Sequence, residues 1–81
     1  MAKIKYKAVF PEGTVLTRSS HRTYTHAWAW WGIRKDGSNT ASSGFSRSAL
    51  HANKAMTTEI NNFGRAGGTV TRSHITEVEI V

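Results

Sequence analysis

Cysteine is absent from this 81-residue chain, so neither a disulfide framework nor a thiolate metal site can reinforce the fold. Proline occurs once, at Pro11, and no repeat, linker or low-complexity tract breaks the sequence. The longest apolar run, Ala27 to Trp31, falls far short of the roughly 20 residues that cross a bilayer. The opening Met1-Ala2-Lys3-Ile4-Lys5 lacks the apolar stretch of a secretory signal. Acidic residues are scarce: five against eleven Lys and Arg, for a net charge of +6. These absences predict one domain over residues 1–81, cytoplasmic, away from membranes and without a cofactor. The charge favours a polyanionic partner. A chain this short buries only about 60% of its unfolded surface, so its core must be thin.

What is present is mostly strand. Ile4, Tyr6, Ala8 and Phe10 alternate with Lys3, Lys5 and Lys7, the period of a half-buried strand. Pro11 to Thr14 is a turn, and Val15-Leu16-Thr17 starts a second strand. Ser19 to Thr23 reads as a loop or as an extension of that strand. Tyr24 to Arg34, rich in aromatic residues, is the strongest strand, and Asp36-Gly37 marks a hairpin turn after it. Thr40 to Gly44 fits a short returning strand or a loop. Ser46 to Phe63 is the one helix candidate, with Ser46 as N-cap, Phe45 and Leu50 as a hydrophobic staple, and Gly64 at its end. Thr69 to Val81 forms a last strand. The fold class predicted is α+β: a small antiparallel sheet of four or five strands with a single helix packed on one face.

Side-chain parity places the charge. Lys3, Lys5 and Lys7 share one face of the first strand, and Glu77 and Glu79 one face of the last. If those strands are neighbours, the rows lie together and largely offset each other. Residues 13–35 then carry Arg18, Arg22, Arg34 and Lys35 with no acid, and residues 46–74 carry Arg47, Lys54, Arg65 and Arg72 against Glu59. The expected contact surface is Arg18, Arg22, Arg34, Lys35, Arg47 and Lys54, gathered into one patch. On the helix, Arg47, His51 and Lys54 form a basic ridge at three- and four-residue steps. Trp28 and Trp30 point opposite to Ala27, Ala29 and Trp31. If the helix packs on the alanine side, these two tryptophans and Tyr24 form a platform for stacking bases. If it packs on the tryptophan side, they are core.

Enzyme and metal readings find less support. His21 and His26 lie five residues apart with no acid near them in sequence, so metal binding is not expected. No dinucleotide, Walker or nucleophile-elbow motif occurs. A metal-independent ribonuclease would need His21 beside Arg22 with His26 or His51. Ser19-Ser20-His21 resembles a step in small basic toxin ribonucleases, although those begin with a helix and this chain begins with a strand.

Two longer segments carry a further resemblance. Thr17-Arg-Ser-Ser-His-Arg-Thr-Tyr-Thr-His-Ala-Trp28 and Gly44-Phe-Ser-Arg-Ser-Ala-Leu-His-Ala-Asn-Lys-Ala55 are similar to segments of small uncharacterised proteins encoded by phages of actinobacteria. The resemblance covers under a third of the chain. It implies a viral accessory protein working in a host bacterial cytoplasm, and no activity. The element order also resembles integrase arm-binding domains, in which a sheet enters the DNA major groove. That analogy would put Arg34 and Lys35 on DNA. The leading expectation is a non-catalytic nucleic-acid-binding module, acting as monomer or homodimer. The alternatives are a phage protein that modulates a host protein and, third, the ribonuclease.

Overall fold

The computed structural model describes residues 2–81. The elements run β1 (Ile4–Val9), β2 (Val15–Ser20), β3 (His26–Ile33), β4 (Asn39–Ser46), α1 (Ala49–Arg65), β5 (Thr69–Glu77) and β6 (Glu79–Ile80). They form two three-stranded antiparallel sheets, ordered β2-β1-β6 and β4-β3-β5. The α+β class and the lone helix match the expectation from sequence. Six strands in two sheets replace the four or five expected in one.

The cause is a corner at Val78. β5 pairs with β3 as far as Glu77, and β6 then pairs with β1. Between them the Val78 amide donates to the Thr25 carbonyl (2.9 Å), while its side chain packs between the sheets. One strand thus serves both sheets, the usual way a strand turns the edge of a sandwich.

β3 lies at the centre, and its two faces solve opposite packing problems. On one face Ala27 and Ala29 leave room for a second sheet. Ala8 of β1 and Phe10 just after it fill it, with Leu16, Trp31, Phe45 and Val78 around them. On the other face Trp28 and Trp30 stand up from the sheet, each 5% exposed, and the helix covers them with small or flexible residues, Ala52 and Met56. Strand β4 is tailored to the indoles too: Gly44 pairs with Trp28, and a Cβ there would meet the indole at 2.7 Å. Large against small on both faces is how close packing is reached. The Ala face therefore takes a sheet and the Trp face takes the helix. Trp28 and Trp30 are core, not a stacking platform.

The helix starts later than expected. Ser46 is consumed by the ladder, paired with His26, so capping passes to Ser48, whose Oγ accepts from the His51 amide at 3.1 Å. Phe45, held in β4, joins the inter-sheet core, and Leu50 is 74% exposed, so no staple forms. At the other end the chain turns at Gly67, with φ +91°, three residues beyond Gly64. Gly68 N–H bonds to Phe63 O and Gly67 N–H to Gly64 O, both at 3.0 Å, a Schellman termination.

The expected pairing of lysine and glutamate rows holds in part. β1 and β6 are neighbours and Lys7 faces Glu79, but the corner at Val78 carries Glu77 into the other sheet, opposite His26. Among the described residues no lysine or arginine lies within ion-pair distance of a carboxylate. His74 and Glu12, 3.6 Å apart, make the one ion-pair contact among the described residues, linking β5 to the β1–β2 turn. No helix is long and apolar enough to cross a membrane among the described residues.

A candidate anion-binding cleft at one end of the central strand

The six cations expected to act together do not form one patch. β3 separates them, its ends roughly 23 Å apart at about 3.3 Å per residue. Arg34 and Lys35 leave its Ile33 end, whereas Arg22 and Arg47 meet at its His26 end, where Lys54 continues the helix ridge. Parity along the strands could not reveal this split, because it orders faces and not ends.

At the Ile33 end the charges are used internally. The Arg34 guanidinium donates from Nη2 to Thr40 Oγ1 at 3.0 Å and from Nη1 to Ser38 Oγ at 3.4 Å, bracing the hairpin. Asp36 Oδ1 accepts from both the amide (2.9 Å) and the hydroxyl (2.6 Å) of Ser38. Those two bonds, with Arg34 adding a smaller contribution, hold the Asp36 carboxyl below its ordinary value. Lys35 lays its methylenes over Gly67. An anion approaching here also meets the Asp36 carboxylate.

The His26 end is built differently. Arg22, Thr23 and Tyr24 from the β2–β3 loop face Phe45, Ser46 and Arg47 at the end of β4, with His51 and Ala55 from the helix. Together they line an open cleft of about 560 Å³. Its lining combines apolar surface from Tyr24, Phe45 and Ala55 with the cations Arg22 and Arg47. No acidic residue lines it.

The loop is fixed from below by Tyr6. That side chain is fully buried, yet its hydroxyl donates to the Arg22 carbonyl at 2.8 Å and accepts from the Tyr24 amide at 3.2 Å. Its ring meets Tyr24 edge-on at 5.3 Å, Phe45 lies against Tyr24 at 5.8 Å, and the Arg18 guanidinium sits 5.5 Å from the Tyr24 ring centre. Arg18 can do this because it is in register with Tyr6, on the inner face of β2. On the other wall, Thr25 donates a hydroxyl hydrogen bond to the Arg47 carbonyl at 2.9 Å and so ties Arg47 to the start of β3.

Arg47 and His51 form a small network. Arg47 Nη2 and Nε lie 2.8 and 3.2 Å from His51 Nε2. A guanidinium only donates, so Nε2 must accept and the ring proton sits on Nδ1. Nδ1–H then donates to Ser48 Oγ at 2.7 Å. His51 thus has no free lone pair for use as a general base while Arg47 is in place. Arg47 keeps its remaining N–H donors for another acceptor, and Arg22 makes no side-chain hydrogen bond among the described residues.

Of the residues expected at a nucleic-acid site, Arg22 and Arg47 line the cleft, Arg18 flanks it over the Tyr24 ring, and Lys54 lies on the exposed helix surface three residues beyond His51. Arg34 and Lys35 lie at the far end, and Trp28 and Trp30 are buried. Phe45 and Ala55 were missed. Phe45 read as the staple residue before the helix, and nothing in the sequence marks it as a β4 residue facing Tyr24. Among the four histidines, His26 bonds through Nδ1 to Thr25 Oγ1 (2.8 Å) and His74 faces Glu12. No cluster of three or more metal-ligating side chains occurs among the described residues.

The integrase analogy meets an obstacle in this geometry. The sheet face free of the helix, which would enter the groove, is covered by β1 and β2. Fold and site together describe an α+β domain of two antiparallel sheets and one helix with a cationic, aromatic-lined cleft at one end. No protein-family model, curated protein or solved structure matches the chain.

Proposed function

We propose that the protein is a small, basic, non-catalytic module that binds nucleic acid through the His26 end of its central strand, a phage accessory protein of the kind its two longer segments resemble. The observation that carries this reading is the convergence of Arg22 and Arg47 on one cleft without a carboxylate, with Arg18 over the Tyr24 ring beside it and Lys54 one helical turn beyond His51. Arginines in this state match phosphate oxygens in geometry and charge. The cleft walls support a ligand-ready arrangement, since Tyr6 and Thr25 hold both arginine-bearing segments by hydrogen bonds that a ligand need not disturb.

The test is the salt dependence of binding. Neutralising four phosphates gives a slope of log affinity against log salt of about −3 for a single strand, so binding weakens roughly fifty-fold between about 50 and 200 mM salt. Oligonucleotide titrations at several ionic strengths measure it. Absence of binding at low salt, or tight binding indifferent to salt, defeats the reading. A host protein retained in stoichiometric amount from nuclease-treated lysate, with no oligonucleotide affinity, supports the modulator reading instead.

A further inference from the structure

Resting on that reading, we infer that the cleft takes one unstacked nucleotide of a single strand, with the base against Tyr24, Phe45 and Ala55 and its phosphate between Arg22 and Arg47. Three features of the site point the same way. The first is its two-part lining. A surface that serves phosphates alone needs cations and no apolar lining, but here two aromatic rings 5.8 Å apart line the same cleft as the arginines. The second is size: about 560 Å³ falls within the range of roughly 300–1,000 Å³ typical of small-ligand sites, enough for a base and sugar. The third is the placement of charge. Arg22 and Arg47 come from separate segments and converge on the same cleft as the aromatic rings, so one nucleotide can meet both kinds of group at once. Bases in a duplex hide their faces by stacking, whereas a single strand offers them to aromatic side chains. His51 fits this assignment as a positioning residue. It holds Arg47 by its Nε2 lone pair and is itself oriented by Ser48.

The experiment compares three probes of matched charge: a short fluorescent oligothymidylate, an abasic strand of the same length, and a hairpin duplex. Anisotropy at low salt should show the oligothymidylate bound at least about tenfold more tightly than either other probe, the scale of one stacked base. Ala55→Gln, which crowds the apolar lining and leaves every charge in place, should bring oligothymidylate down to the affinity of the abasic strand without changing the latter. Tyr24→Leu, whose amide still bonds to Tyr6, should do the same if Ala55→Gln loses its thermal transition. Equal affinity for oligothymidylate and abasic strand, or for duplex, overturns the inference and leaves the nucleic-acid reading intact. Tighter binding of a phosphotyrosine peptide than of oligothymidylate overturns it in favour of a protein partner. No binding of any probe at low salt overturns both together.

Discussion

The two ends of β3 carry similar positive charge and put it to different uses. At the Ile33 end Arg34 is bonded into its own hairpin and Asp36 stands beside it. At the His26 end Arg22 and Arg47 come from separate segments whose backbones the fold holds; the Arg22 guanidinium makes no hydrogen bond among the described residues, and that of Arg47 keeps donors beyond those it gives His51. Charge counted along a chain cannot separate these cases. What separates them is whether the donors are already satisfied, and a satisfied arginine has little left to offer a ligand.

The sharpest way to break the contrast is a pair of matched double substitutions. Arg22→Ala with Arg47→Ala should lower oligonucleotide affinity at low salt by about 10- to 100-fold and flatten the salt slope by roughly 1.4, at about 0.7 per lost phosphate contact. Arg34→Ala with Lys35→Ala should leave affinity within a few-fold and cost stability instead, about 1 kcal/mol for the lost hairpin bonds. Equal loss of binding from both pairs would erase the distinction between the ends.

Two glycines extend the comparison to packing. Gly44→Ala presses a methyl into the Trp28 indole beneath the helix, and overpacking of this kind costs about 1–3 kcal/mol. Gly37→Ala meets nothing but must hold φ near +91°, a strain of about 1–2 kcal/mol confined to the hairpin. Denaturant unfolding measures both, and the first should also shift the tryptophan emission. Tyr6→Phe removes the hydroxyl shared by Arg22 and Tyr24 and leaves the Tyr24 amide unpaired, a loss of about 1–2 kcal/mol. Affinity for oligonucleotide should fall a few-fold with the salt slope unchanged, because position is lost and charge is not.

The smallest effect concerns acid. Asp36 is held below its ordinary value by Ser38, so its carboxylate favours the folded hairpin at pH above the unfolded value of 3.8. That contribution fades as pH falls through the lower folded value. Hairpin amide exchange or chemical shifts should therefore change in acid, and Asp36→Asn should abolish the change while the His26 end stays as it is.

Much of the fold was legible in residue order. The alternation in β1, the Asp-Gly turn and the apolar stripe of the helix each identify an element, because strand and helix periods are local properties. Thr40 to Gly44 read equally as a short returning strand or a loop, because it has serines and little apolar signal. β4 is a strand through its eight-residue ladder with β3. The site was legible as composition, in Arg22, Arg47 and Tyr24, and illegible as a place. Phe45 joins its lining only when β4 returns along β3 and brings it to Tyr24.

Local chemistry therefore settled the elements, the excess of cations, the hairpin at Asp36 and the two unlike faces of the strongest strand. Which face took the helix, that the last strand turns a corner at Val78, and which arginines stay free were decided only in three dimensions. Those outcomes depend on how large residues find small ones across layers and on which segments meet at a strand's end. Both are relations between residues distant in the chain, and no local period encodes them.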